Sequence, residues 1–290
     1  MAGPQLSASG TCPLISTGVC SSPGRGRRGD ETGDRVTLRD WLVYEPRPGD
    51  PAFTVIDVEE IHPRPEDVTD QLGRRLRDAK LDPRYIDRMG AALGWGPIAA
   101  PLARGRPGIR RGEFGEVLAQ AIAETFEGWQ FPVSKLRYQI DPEQTLPGTD
   151  LFGLRLTDEG ATEVLFAESK LRTTYDKNAA VAAHDQLVED EKRGFDSILT
   201  FVLQRMYVEA SPHLGALESY LNSRDADLST YGVFLTFETE VWREEVIEEL
   251  AARDDLLIPL STRAGRVSEL RELIDAVCGA AGVDLVAGDD

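Results

Sequence analysis

Three charged residues near the middle of the chain are of the types that metal-dependent phosphodiester chemistry uses. Asp150 follows a turn signal at residues 147–149, and Glu168 and Lys170 follow the apolar run 164–167. Carboxylate oxygens are the ligands that Mg²⁺ prefers, and the ion keeps several of its waters. A lysine beside such an ion orients the attacking water and stabilises charge on the phosphate. The residue types therefore predict Asp150 and Glu168 as Mg²⁺ ligands and Lys170 as their electrostatic partner.

A hairpin is the local structure that positions these side chains. Residues 158–160 form a turn signal between the segment that begins at Asp150 and the segment that ends at Lys170. Antiparallel pairing across this turn brings Asp150 and Glu168 to the same end of the hairpin. Because side chains alternate along a strand, Glu168 and Lys170 face one way and Ser169 faces the other.

An amphipathic helix predicted over residues 113–126 supplies a further carboxylate. Glu113 and Glu116 are three residues apart and therefore occupy neighbouring positions on the helix. We favour Glu116 as the third metal ligand, because Val117 and Leu118 next to it belong to the buried side of the helix. Glu113 is the alternate helix carboxylate. The predicted catalytic set is thus Glu116, Asp150, Glu168 and Lys170.

The region from residue 110 to about residue 187 resembles the PD-(D/E)XK nuclease superfamily. The superfamily pattern of a helix carboxylate, a lone aspartate and Glu-x-Lys falls on the same four residues, although Thr149 stands where the superfamily name has proline. The resemblance implies a restriction-endonuclease-like α/β core with a mixed central sheet flanked by helices. It also implies a metal-dependent nuclease.

Four short segments are similar to a narrower family, the HamA effector nucleases of the Hachiman antiphage defence system. They are residues 111–116, 134–136, 148–150 and 167–170. The likeness implies an endodeoxyribonuclease that acts on DNA. It further implies a HamB-type helicase partner, which holds the nuclease in check until invading or aberrant DNA is met.

Composition divides the chain into three parts. Residues 1–34 are rich in Gly, Ser, Pro and Arg and are predicted to be a disordered tail. Residues 35–108 are predicted to form a small N-terminal α/β region with a strand over 53–58 and helices over 65–80 and 84–93. This region is a candidate surface for binding a partner. Residues 109–283 are predicted to form the nuclease-like domain.

Two further elements of that domain are predicted from local pattern. Residues 133–140 are expected to be extended, which would make three strands follow the helix at 113–126. Residues 255–260 are expected to form the last strand, at a sheet edge because Pro259 cannot donate to a ladder.

The overall charge argues against a protein that coats nucleic acid unaided. The formal net charge is −18, whereas phosphate contacts require a basic surface. Acidity of this kind is equally compatible with solubility, or with a high-G+C or salt-adapted host. Local basic residues that could contact nucleic acid are Arg110, Arg111, Arg172 and Lys177, and a solvated linker or loop is an open alternative for each of them.

Several classes of protein are disfavoured by what the sequence lacks. No apolar run approaches the roughly 20 residues that cross a bilayer, and no secretory signal pattern is visible; three cysteines form no disulfide framework. We therefore expect a cytoplasmic protein without membrane contact.

Other chemistries lack their motifs. No Gly-x-x-x-x-Gly-Lys-Ser/Thr loop exists, so no nucleotide binding is expected. The histidines share no metal-ligand spacing, which disfavours zinc, and His184 is expected on a helix surface. The alternative to a nuclease is a catalytically silent module that keeps the nuclease fold and binds protein or DNA.

Overall fold

A mixed sheet of six strands forms the centre of the protein, with helices on both of its faces. The computed structural model describes residues 38–80, 108–138, 148–223 and 228–286. The strands are β1 (Leu42–Pro46), β2 (Phe53–Glu60), β3 (Gly108–Ile109), β4 (Leu151–Leu156), β5 (Thr162–Arg172), β6 (Ser229–Glu238), β7 (Leu260–Val267) and β8 (Asp284–Leu285). The helices are α1 (Leu38–Trp41), α2 (Val68–Lys80), α3 (Arg111–Ile122), α4 (Ala179–Lys192), α5 (Asp196–Val208), α6 (Leu214–Ser223), α7 (Glu245–Ala251) and α8 (Leu270–Ala281). Within these ranges no helix has the length and apolar character needed to cross a membrane.

The strand order in the main sheet is β1-β2-β7-β6-β5-β4. The four inner strands run parallel to one another, and the edge strands β1 and β4 are antiparallel to them. Parallel strands need cover on both faces, and the helices provide it. The predicted α/β nuclease-like core, with a mixed sheet flanked by helices, is confirmed.

Strand β5 shows how the two faces are built. Val164 and Phe166 pack into the cluster formed with α4 and α5. Leu165 and Ala167 point the other way, into the cluster formed with α2, α3 and α8. All four side chains are buried, so the apolar run 164–167 is a strand covered on both faces, as its composition predicted.

The N-terminal region contributes to the same sheet. Strand β2 pairs in parallel with β7 and confirms the strand predicted over 53–58. Helix α2 confirms most of the helix predicted over 65–80. Whether this region binds a partner stays a prediction, and the tail 1–34 and the helix predicted over 84–93 lie outside the described residues.

The prediction of an edge strand at residues 255–260 is wrong. The strand is β7, which begins at Leu260 and lies in the sheet between β2 and β6. Its interior contains the polar residues Thr262 and Arg263, both buried. Arg263 is accommodated because Glu127 forms an ion pair with it. The prediction placed the strand too early because the residues before Pro259 are apolar.

The extended segment predicted over 133–140 is also wrong in its described part. Lys135–Tyr138 form a short 3-10 helix. Just before it, Gln130 makes a single antiparallel bridge with Leu154 of β4, with N···O distances of 2.9 and 2.8 Å. Two strands of the main sheet, rather than three, therefore follow α3 before α4.

Candidate active site

The open end of the β4–β5 hairpin brings Asp150 and Glu168 together. Leu151 pairs with Ala167 in antiparallel register, so Asp150 and Glu168 are the next residues along β4 and β5 at this end of the hairpin. The Asp150 N–H donates to Glu168 Oε1 (3.1 Å), and the Ser169 N–H donates to Asp150 Oδ2 (3.0 Å). The predicted approach of the two carboxylates is confirmed.

Lys170 lies on the same face of β5 as Glu168. Its Nζ is 3.4 Å from Glu168 Oε2, and its side chain is 24% exposed where that of Glu168 is 3% exposed. Ser169 faces the opposite way, towards α3: a Cβ built on Gly115 would lie 3.3 Å from Ser169 Oγ. The ammonium group of Lys170 is therefore the part of this pair that solvent and a substrate can reach.

Glu116 approaches the hairpin from helix α3. It lines one pocket together with Asp150 and Lys135. Burial raises the pKa of Glu116, and the negative charge of Asp150 raises it further, while Lys135 acts in the opposite direction. Three carboxylates thus stand within electrostatic reach of one another at this end of the sheet.

Glu113, the alternate helix carboxylate, has a different environment. Its Oε2 forms an ion pair with Lys80 Nζ at 3.1 Å, and both side chains are 5% exposed. The same oxygen accepts the Arg110 N–H at 3.4 Å. Glu113 therefore ties the start of α3 to the end of α2, whereas Glu116 faces the pocket.

The electrostatics of the carboxylate pair suit a bound cation. Burial raises the pKa of Glu168 well above its usual value, and so does the charge of Asp150, against the opposing effect of Lys170. A divalent cation would offset this unfavourable concentration of negative charge. The oxygen-only donors fit Mg²⁺ rather than softer metals.

Asp150 and Glu168 are the two carboxylates that the described structure brings closest together at this site. Among the described residues, no group of three His, Cys, Asp or Glu side chains is placed to hold one metal ion. Asp150 and Glu168 would thus hold Mg²⁺ together with waters, in keeping with the predicted two-carboxylate site. Glu116 lines the same pocket as Asp150, and its role as a third ligand stays a prediction.

Lys135 is a site residue to which sequence reasoning gave no role. Its Nζ donates to the carbonyl oxygens of Gly148 and Thr149, both at 2.8 Å. It also lines the pocket with Glu116 and Asp150. The only sequence signal for it was the segment 134–136, which formed part of the family likeness.

The turn that precedes Asp150 depends on Gly148. This residue has φ +84°, a conformation that side chains disfavour. A Cβ built there would lie 2.7 Å from Ile198 Cβ on α5. The glycine therefore allows the turn to pack directly against a helix.

We expect Gly148→Ala to destabilise the fold by about 1–3 kcal/mol, because the strained φ and the overlap with Ile198 add together. It should also lower metal affinity, since the next residue but one is Asp150. Urea denaturation of the variant beside wild type measures the first effect. Gly160→Ala is the matched control: it has φ +82° but nothing within 4 Å of its built Cβ. Equal losses in the two variants would contradict the role of the Ile198 contact.

The residues predicted to contact nucleic acid lie at or beside the ends of helices and strands. Arg110 and Arg111 stand at the start of α3. Arg172, at the end of β5, forms an ion pair with Asp176 at 2.8 Å. Lys177 is 54% exposed and lies 3.3 Å from Glu249. Contact with nucleic acid stays a prediction for all four.

One known family matches a range of the chain that contains the whole of this site. The family model for HamA matches residues 54–266, from β2 to β7. The chain belongs to the HamA family. Membership associates it with Hachiman antiphage defence, and the matched range contains Glu116, Asp150, Glu168 and Lys170. No curated protein matches the chain.

Proposed function

We propose that this HamA family member is the effector of a Hachiman system and cleaves DNA as a Mg²⁺-dependent endonuclease. The observation that supports this most directly is the paired arrangement of Asp150 and Glu168, hydrogen-bonded through a backbone N–H at 3.1 Å, with Lys170 3.4 Å from Glu168. Carboxylates this close, one of them buried, are costly in a purely structural role. They are what an oxygen-ligated metal site requires.

Each residue then has a distinct role. Bound Mg²⁺ would polarise the phosphate and lower the pKa of water in the site. Asp150 and Glu168 hold the ion, and Lys170 stabilises negative charge that develops on the phosphate. Glu116, which lines the same pocket as Asp150, assists these two carboxylates in holding the ion and its waters.

A cavity beside the site is a candidate for one nucleotide of the substrate. Its volume is about 240 Å³, and it shares Val117, Gln120, Phe131 and Ser134 with the pocket that contains Glu116 and Asp150. Arg75 and Arg137 are also part of its lining. An aromatic ring next to a metal site suits a base of single-stranded DNA. The guanidinium groups pair with Glu124 and Glu209 and would exchange these partners for a phosphate.

A partner is part of the proposal because of the charge of the chain. With a net charge of −18, the protein should have little affinity for bulk DNA, since that affinity depends on neutralising phosphates. A HamB-type helicase that binds and presents DNA would overcome this barrier. It would also restrict cleavage to the DNA that the helicase has engaged.

The proposal is tested by cleavage of DNA in the presence and absence of metal. Supercoiled plasmid, linear duplex and single-stranded DNA are incubated with the chain and 5'-labelled products are resolved, with and without the helicase and ATP. We expect cleavage with Mg²⁺ and the helicase, loss of cleavage in EDTA, and recovery when Mg²⁺ is added in excess. Cleavage that persists in EDTA would contradict metal dependence. Intact substrates under every condition, Mn²⁺ included, would favour the catalytically silent alternative.

A further inference from the structure

We propose that Lys135 is a positioning residue that fixes Asp150 for metal binding by holding the two carbonyl groups that precede it. The inference rests on the proposed metal site and assigns a role to a residue outside the predicted catalytic set. It starts from two contacts, in which Lys135 Nζ donates to Gly148 O and Thr149 O at 2.8 Å each.

These carbonyls need a partner from elsewhere in the chain. Strand β4 begins only at Leu151, so residues 148 and 149 stand ahead of the sheet ladder. An ammonium group has three donors and no acceptor, and it can therefore satisfy two carbonyl groups at once. Lys135 is partly buried, and its stem spans the distance from the 3-10 helix to the turn.

The turn is held from its other sides as well. Gly148 packs against Ile198, so closely that a built Cβ would be 2.7 Å from Ile198 Cβ. The side chain of Thr149 is fully buried, and its hydroxyl donates to Leu151 O at 3.3 Å. Lys135 supplies the restraint on the carbonyl side, so the two residues before Asp150 are held by three separate contacts.

Lys135 could instead act only as a positive charge near the carboxylates, and the two roles have opposite consequences. Removing a nearby positive charge strengthens the attraction of the carboxylates for a cation. Removing a group that orients a ligand weakens metal binding, typically by about 10–100-fold. The sign of the change in metal affinity therefore separates positioning from simple charge compensation.

The experiment is a Mn²⁺ titration of the full chain without DNA, followed by the EPR signal of free Mn²⁺, with Mg²⁺ competition. Lys135→Met keeps the length of the side chain and removes the donors. We expect its apparent Kd for Mn²⁺ to rise about 10–100-fold. Lys135→Arg, which can still donate to both carbonyls, should lose less affinity. The control Lys192→Met removes an exposed lysine that pairs with Glu189 and should bind Mn²⁺ like wild type.

Circular dichroism shows whether each variant is folded. If Lys135→Met folds poorly, the Mn²⁺ affinity of Lys135→Arg is compared with that of wild type. Unchanged or tighter Mn²⁺ binding by folded Lys135→Met overturns the inference, as does a Lys135→Arg variant that loses as much affinity. If wild type binds Mn²⁺ more tightly than Lys135→Met but cleaves no DNA, the positioning role stands and the proposed function fails. If wild type cleaves DNA and Lys135→Met binds Mn²⁺ as tightly as wild type, the proposed function stands and the positioning role fails.

Discussion

Glu168→Gln should abolish DNA cleavage and leave the fold intact. Glutamine keeps an oxygen that can accept the Asp150 N–H, which Glu168 accepts at 3.1 Å. It removes the negative charge that would hold Mg²⁺ and face Lys170. Loss of one preorganised electrostatic contact typically costs about 10²–10³-fold in kcat, and loss of a direct metal ligand should cost at least that much. Initial cleavage rates with saturating helicase and Mg²⁺ measure the effect.

The stability of Glu168→Gln distinguishes a lost site from a lost fold. Because the folded-state pKa of Glu168 is raised, ionising it opposes folding, and the protonated form is the one that the metal-free fold favours. Protonated Glu168 therefore adds to the free energy of unfolding at low pH, and this contribution is lost as pH rises through the raised pKa. The neutral glutamine should therefore unfold at a temperature no lower than metal-free wild type at neutral pH.

Added Mg²⁺ gives the second readout of this variant. A ligand at 100 times its Kd stabilises a protein by about 2.7 kcal/mol, so Mg²⁺ should raise the melting temperature of wild type and leave that of Glu168→Gln nearly unchanged. Glu163→Gln is the matched control. It lies on the same strand and pairs with Arg155, and it should cleave DNA and respond to Mg²⁺ like wild type. Cleavage by Glu168→Gln near the wild-type rate would contradict the assignment.

The parts of the site that could be predicted are those set by short-range pattern. The turn at 158–160 and the period of two along β5 were enough to bring Asp150 to Glu168 and to put Lys170 on the same face. Helical spacing likewise placed Glu116 beside the buried side of α3. These inferences needed no knowledge of distant contacts.

The parts that could not be predicted depend on contacts between residues far apart in sequence. Lys135 acts on backbone carbonyls, which leave no trace in side-chain patterns. Strand β7 contains a buried arginine, Arg263, whose partner Glu127 is 136 residues away. His184, expected on a helix surface, is fully buried and accepts the Leu257 N–H at 3.2 Å. Arg263 and His184 are both buried by segments that are distant in the sequence, so local pattern alone could not predict their burial.

The ion pair between Glu127 and Arg263 joins three parts of the fold around the central sheet. Glu127 follows α3, and Arg263 lies on β7, where its side chain is 3% exposed. Arg263 Nε donates to Glu127 Oε1 at 2.8 Å, and the Trp129 indole N–H donates to Glu127 Oε2 at 2.9 Å. The hydroxyl of Tyr44 on β1 donates to the same carboxylate. Glu127 thus connects the edge strand, the central strand and the helix that presents Glu116.

Glu127→Ala should destabilise the protein by about 3–5 kcal/mol, because it leaves the buried Arg263 guanidinium without its counter-ion. Guanidinium denaturation at pH 7 measures the loss. The double variant Glu127→Leu with Arg263→Met removes both charges and should recover much of the stability, since buried ion pairs are often replaceable by apolar side chains. Glu189→Ala, which removes an exposed pair with Lys192, should leave the midpoint nearly unchanged.

The pH dependence of this effect has a definite sign. Burial alone would raise the pKa of Glu127, but the charge of Arg263 and the hydrogen bonds from Arg263, Tyr44 and Trp129 outweigh it, so the pKa is lowered. The stability that Glu127 contributes is therefore present above the pKa of an unfolded glutamate and is lost as pH falls through the lowered value. The gap in stability between wild type and Glu127→Ala should narrow in acid. A gap that stays constant from neutral to acidic pH would show that the loss comes from packing and not from the carboxylate charge.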